Sequence, residues 1–269
     1  MRIFLTGLRK LVGRPASFVS VGLLVGLLSL ILFASATIPP EDSDGGNPRA
    51  LVTFPGAYDL ILSFMFGFGG LVAVIYGAAI AGSEWSWGTL KNAVARGESR
   101  SRYMLGTFAA IMVMLAVGLA ITFVLGVAVA LGGATIAGIS TAGVSDADTL
   151  QRLPAMVGRG WFAVVEQAAI GFAIATLTRS QLAGIGVGIA FYFGETFARF
   201  FLPGIIKYMP FAVAQASIDT GDGGPGGPGG GGGIIQVLEP DVALAFVAAW
   251  LAGSLLITVL FTERAEITG

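Results

Sequence analysis

Cysteine and histidine are both missing from the 269-residue chain. Their absence excludes disulfide frameworks, Cys or His metal sites, Ser-His and Cys-His catalysis, and histidine pH switches. Charge is scarce too, at 12% of residues, about half the share of an ordinary soluble domain. The net charge of −1 leaves no basic surface for nucleic acid. Lysine occurs only at Lys10, Lys91 and Lys207. None follows a glycine or precedes Ser or Thr, so no P-loop is present. What the chain has is apolar sequence, 55% of residues, and this composition points to a polytopic membrane protein.

The few charges divide the chain into silent stretches. None lies between Arg14 and Glu41, Asp59 and Glu84, Arg102 and Asp146, or Asp241 and Glu263. About 20 apolar residues cross a bilayer as a helix. The stretches predict spans over 18–38, 60–83, 103–131 and 242–262, with small residues and glycine from Gly132 to Gly143 read as a loop. Two further spans are expected over 160–178 and 181–202, separated by Thr178-Arg179-Ser180. The fold class expected is therefore all-α, with six transmembrane helices in a single transmembrane domain. A barrel is disfavoured because the runs lack a period of two.

Lys and Arg placement orients the bundle. Six spans put both termini on the side holding Arg2, Arg9, Lys10, Arg14, Lys91, Arg96, Arg100, Arg102, Arg179 and Arg264. The other side holds Arg49, Arg152, Arg159, Arg199 and Lys207, and is acidic. Both termini are thus expected in the cytoplasm of a multi-pass cell-membrane protein. Ala34-Ser35-Ala36 is like a signal-peptide cleavage site, but cleavage would leave five spans with ends on opposite sides. Phe4, Leu8, Leu11 and Val12 share one helical face at the start of the chain. That pattern suits an amphipathic helix on the inner membrane surface as well as an ordinary positive flank.

Between the second and third spans, residues 84–102 form the longest cytoplasmic connection. Thr89–Arg96 can make two turns of helix ended by Gly97, and Trp85 and Trp87 suit the interfacial aromatic belt. Composition alone leaves this segment either a solvated loop or a helix that meets a soluble partner. Residues 219–236 form a Gly-rich external loop. Within it, Gly221 to Gly233 has ten glycines and two prolines, a flexible tether rather than a phosphate cradle.

Glu166, Glu195 and Arg199 fall inside expected spans, where charge costs at least about 2.5 kcal/mol. Opposite helix directions bring the three to a similar depth. Glu195 and Arg199 are spaced to pair on one helix face. They are candidates for a substrate pathway, for a buried structural pair beside Glu166, or for residues at the outer interface. Gly22-x-x-x-Gly26 and Gly184-x-Gly186-x-Gly188 permit close helix approach, in a compact bundle or a dimer seam.

The ordered layout over essentially the whole chain resembles the permease subunits of type-2 ATP-binding-cassette (ABC) transporters. The most specific local likeness is Ser83-Glu84-Trp85-Ser86-Trp87-Gly88-Thr89-Leu90 followed by Ser99-Arg100. Ala175-Thr176-Leu177-Thr178-Arg179-Ser180 and Phe261-Thr262-Glu263-Arg264 add to it. The chain departs from the pattern in having Gly97-Glu98 where many members have proline, and Thr107 where many have lysine.

The resemblance implies an ATP-driven exporter permease without ATPase motifs of its own. ATP and Mg would sit on a partner ABC ATPase subunit. A second permease copy or a sister permease would complete the pore, among membrane lipids. Residues 84–102 would then be the coupling segment, with Thr89, Leu90, Ala93 and Val94 as contacts, Gly88 at its start, and Glu84 and Arg100 fixing its ends. An ion-coupled secondary transporter is the main alternative. A polytopic membrane enzyme would have to rely on Glu166 and Glu195 alone.

Overall fold

The computed structural model describes residues 2–38, 47–218 and 238–265. The acidic part of the first outer connection and all of the Gly-rich loop expected at 219–236 lie outside the described residues. Every regular element described is helical. The α-helices among them, in chain order, are α1 (Arg2–Val12), α2 (Pro15–Thr37), α3 (Gly56–Ser86), α4 (Thr89–Ala95), α5 (Arg100–Ile136), α6 (Ala147–Thr178), α7 (Gln181–Ala198), α8 (Pro203–Ile206), α9 (Pro210–Ala216) and α10 (Pro240–Arg264). Five of these, α2, α3, α5, α6 and α10, are long and apolar enough to cross a membrane. The chain is a helical multi-pass membrane protein.

Local chemistry sets the ends. Proline opens α2, α8, α9 and α10, where its missing N–H costs nothing. Asp146 caps α6 by accepting from the Thr149 amide at 2.9 Å, and Ser180 caps α7 through the Ala183 amide at 3.3 Å. Gly88 and Gly97 bracket α4 with φ of +66° and +88°, the left-handed region that glycine enters without steric cost.

Three expected boundaries move. α5 continues past Leu131 to Ile136, because Gly133 and Ala134 are buried and a Cβ at Gly133 would lie 3.1 Å from Ala36. Packing there outweighs the weak helix propensity of glycine. α6 starts at Ala147 rather than near Gly160, carrying Pro154 within it. α7 ends at Ala198 rather than Leu202, and the chain turns back through α8 and α9.

The bundle is built around α3, which packs most extensively on α6 and also meets α7, α5 and α2. Small residues make the α3–α6 crossing. A Cβ at Gly77 would sit 2.1 Å from the Ala168 carbonyl oxygen, and one at Gly171 would sit 2.0 Å from that of Val74. These two backbones therefore approach closely, as small residues allow between membrane helices. On one side α2 and α1 lie on α5; on the other, α10 lies on α6 with α9 beside it. Gly184 and Gly188 make close contacts with Ala175 and Val74, whereas Gly186, Gly22 and Gly26 meet nothing within 4 Å.

Candidate functional site: a carboxylate junction under the short helix α4

Glu84 lies near the end of α3 and is fully buried. Lys10 of α1 donates to both carboxylate oxygens, at 2.6 and 2.7 Å. Arg14, on the residues joining α1 to α2, donates at 3.2 Å. Tyr103 of α5 donates through its hydroxyl at 2.7 Å, and the Thr89 hydroxyl donates from the first residue of α4. Five elements or their junctions therefore meet on one carboxylate. Arg14 also donates to the Ser83 hydroxyl at 2.7 Å and stacks over Trp87 at 5.0 Å. Two cations against one anion leave the cluster a net positive charge.

The rest of this surface is tied in the same manner. Arg100, at the start of α5, donates to the carbonyl oxygens of Ala265 at 2.6 Å and Glu263 at 3.3 Å. The Glu263 carboxylate in turn accepts from the Ser101 amide at 3.2 Å. A cation thus meets the C-terminus of α10 and an anion meets the N-terminus of α5, each complementing a helix dipole. Arg179, in the turn between α6 and α7, lies 5.4 Å over Trp85 and 5.2 Å over Phe261. All the helix ends on this side are linked through side chains.

α4 itself has two faces. Leu90 is 2% exposed and belongs to the main core, so the expectation that it touches a partner is corrected: it anchors α4 to its own chain. Ala93 and Val94 are half-buried, while Lys91, Asn92, Ala95, Arg96 and the preceding Trp87 are exposed. These residues form the outward face of α4. The sequence marks Leu90 only as apolar; which way the helix rolls follows from the Glu84–Thr89 contact, which sequence spacing does not display. Lys10, Arg14 and Tyr103 were legible as membrane-edge residues, not as partners of one carboxylate.

The second group of expected residues divides. Glu195 accepts from the amides of Phe211 at 3.2 Å and Ala212 at 2.5 Å, so it caps the start of α9. Arg199 stands 3.9 Å from Glu195 and donates to the Gln215 side chain at 2.7 Å. The two residues pair as their spacing predicts, and together they clamp α9 against α7. At the far end of α9, Arg159 approaches the Ser217 carbonyl oxygen at 3.5 Å and bonds Asp241 at 2.5 Å.

Glu166 is fully buried in α6, and neither of its oxygens has a hydrogen-bond partner. No ion pair among the described residues joins it to Arg199. The neighbouring Gln167 also has an unpartnered carbonyl oxygen, lodged against Gly70 where a Cβ would lie 1.7 Å away. No group of three or more metal-ligating side chains occurs among the described residues.

A family described as "Protein of unknown function (DUF2705)" matches the chain over residues 46–262, which takes in every helix from α3 to α9 and nearly all of α10. No curated protein matches the chain.

Proposed function

The chain belongs to the DUF2705 family, and we propose that it is the transmembrane permease subunit of an ATP-driven ABC exporter of the type-2 kind. In this reading α7 is a sixth crossing and both termini are cytoplasmic. A separate ABC ATPase subunit carries ATP and Mg and docks on α4. A second permease copy or a sister permease completes the transport path. The observation that carries the proposal is the Glu84 junction. It joins a short, outward-facing helix to α1, α2, α3 and α5 at once, so a push on α4 is delivered to the whole end of the bundle. A buried, hydrogen-bonded charge cluster has few alternative arrangements, which suits it to passing on displacement rather than absorbing it.

Beyond that junction, α3 carries motion to α6 and α7 through backbone contacts with little side-chain padding. The path for cargo would run near Glu166, Glu195 and Arg199. A change in the clamp on α9 would alter the outward end of that path. The weakly charged interior favours hydrophobic or amphipathic cargo.

Co-purification tests the proposal. The full chain should bring down an ATPase subunit. Lys91→Glu combined with Arg96→Glu should release that subunit while leaving the permease folded, since both side chains are exposed. Efflux should need ATP and be indifferent to collapse of the ion gradient. An unchanged co-purification with the double variant would remove α4 as the docking site. Gradient-dependent efflux without ATP would favour the second reading, an ion-coupled transporter, for which the unpartnered Glu166 is the supporting observation.

A further inference from the structure

An open groove runs between α2, α3, α5 and α6. Val21, Leu24, Met114, Leu115 and Val164 line its walls. Gly69 and Gly118 also line it, and their lack of side chains leaves the space. Val21, Met114 and Leu115 are half-exposed, so the groove opens sideways, toward the hydrocarbon of a bilayer. From Ser17 to Leu24 it spans seven residues of α2, about 10 Å along the helix axis.

One end is polar. Ser17, Ser20 and Tyr76 lie there, and the Ser17 hydroxyl is 2.8 Å from that of Tyr76. Arg14 sits one helical turn beyond Ser17, in the cluster where Lys10 and Arg14 outnumber Glu84. Arg9 adds a further exposed cation on α1. An apolar slot of this length that ends in hydroxyls and then in excess positive charge has the polarity of an anionic amphiphile.

We propose that this groove seats one acyl chain of an anionic phospholipid, with its phosphate against the Lys10–Arg14 end. The lipid belongs to the leaflet that faces α1, which is the inner leaflet under the permease reading on which its sidedness rests. It wedges between α2 and α3 on the membrane side of the Glu84 junction, so its presence stiffens the element through which α4 would act. The seat is separate from the candidate cargo residues, since Glu166, Glu195 and Arg199 take no part in lining it.

The test uses the purified full chain without an ATPase, so failure of the permease reading leaves the outcome intact. Phosphatidylglycerol and phosphatidylcholine with identical acyl chains are offered in equal amounts, and retained lipid is counted by native mass spectrometry. Phosphatidylglycerol should be preferred about five- to thirtyfold, the scale of one to two surface cations. Gly69→Leu fills the groove, since a Cβ there makes only an ordinary 3.6 Å contact with Leu24, and should abolish the preference. In the unaltered chain, phosphatidylglycerol with a photoreactive acyl chain should label Met114 or Leu115. Equal retention of the two lipids overturns the proposal, as does labelling spread over the outer faces of α2 and α10. A groove closed by a second copy of the chain would retain no lipid, which also overturns it.

Discussion

A carboxylate with four donor groups around it behaves unlike one with none, and this chain holds both kinds. At Glu84 the buried negative charge is matched by Lys10 and Arg14 and by the hydroxyls of Thr89 and Tyr103. Removing one partner of a buried ion pair costs about 3–5 kcal/mol. Glu84→Gln keeps the shape and leaves two cations facing each other. It should lower the thermal midpoint of the purified chain and loosen α4, read as faster amide exchange over residues 89–95. Glu166 is the opposite case, with no donor for either oxygen. An unpartnered buried polar group costs about 1–3 kcal/mol. Glu166→Leu should therefore raise stability by that order while lowering efflux if the acid serves transport. A stabilised variant with undiminished efflux would assign Glu166 no part in the cycle. The positions of both acids were legible, because charges within apolar runs stand out in the sequence. Their opposite surroundings were not, because the partners of Glu84 come from 5 to 74 residues away.

At the level of the helices, the apolar pattern located every long element and misjudged several ends. Gly132 and Gly133 read as a break, yet α5 runs through them because tertiary packing overrides propensity. The start of α6 was masked by the charges at 146–159, which lie on a helix that begins well before its apolar run. Its cap is pH-sensitive. Hydrogen bonds from the Thr149 hydroxyl and amide hold the Asp146 carboxyl below its usual range. A depressed folded-state pKa gives stability that is present above the unfolded value and lost as pH falls through the folded one. Amide protection at residues 147–150 should thus hold from neutrality down to about pH 4 and fall below it. Asp146→Asn should keep the cap and flatten that response. The glycines were legible as a class but not individually. Gly77→Val drives side-chain atoms into the Ala168 backbone and should prevent recovery of folded protein, whereas Gly22→Val meets open space and should not. Equal yields of the two variants would contradict the close α3–α6 crossing.

Across the whole molecule, the two ends of the bundle are built differently, and that difference bears on the proposed transport. On the α4 side, Glu84, Arg100 and Arg179 bind the ends of α3, α5, α10 and the α6–α7 turn into one plate. On the other side the chain is interrupted: α7 stops at Ala198, and α8 and α9 fold back under the clamp of Glu195, Arg199 and Arg159. A rigid driven end and a jointed far end are what a pump requires if force enters at α4 and cargo leaves beyond α9. Whether the jointed end lies across the membrane depends on α7, whose 18 residues span about 27 Å against a hydrocarbon core of about 30 Å. The lack of native cysteine makes this directly measurable. Single cysteines at Ala95, Thr178 and Glu239 are all at exposed positions. With an impermeant maleimide added to intact cells, Glu239→Cys should react, while Ala95→Cys and Thr178→Cys should react only after permeabilisation. If Thr178→Cys and Glu239→Cys instead behave alike, α7 does not cross, α10 carries the C-terminus to the opposite face from α4, and the plate that Arg100 makes with Ala265 could not exist in the membrane.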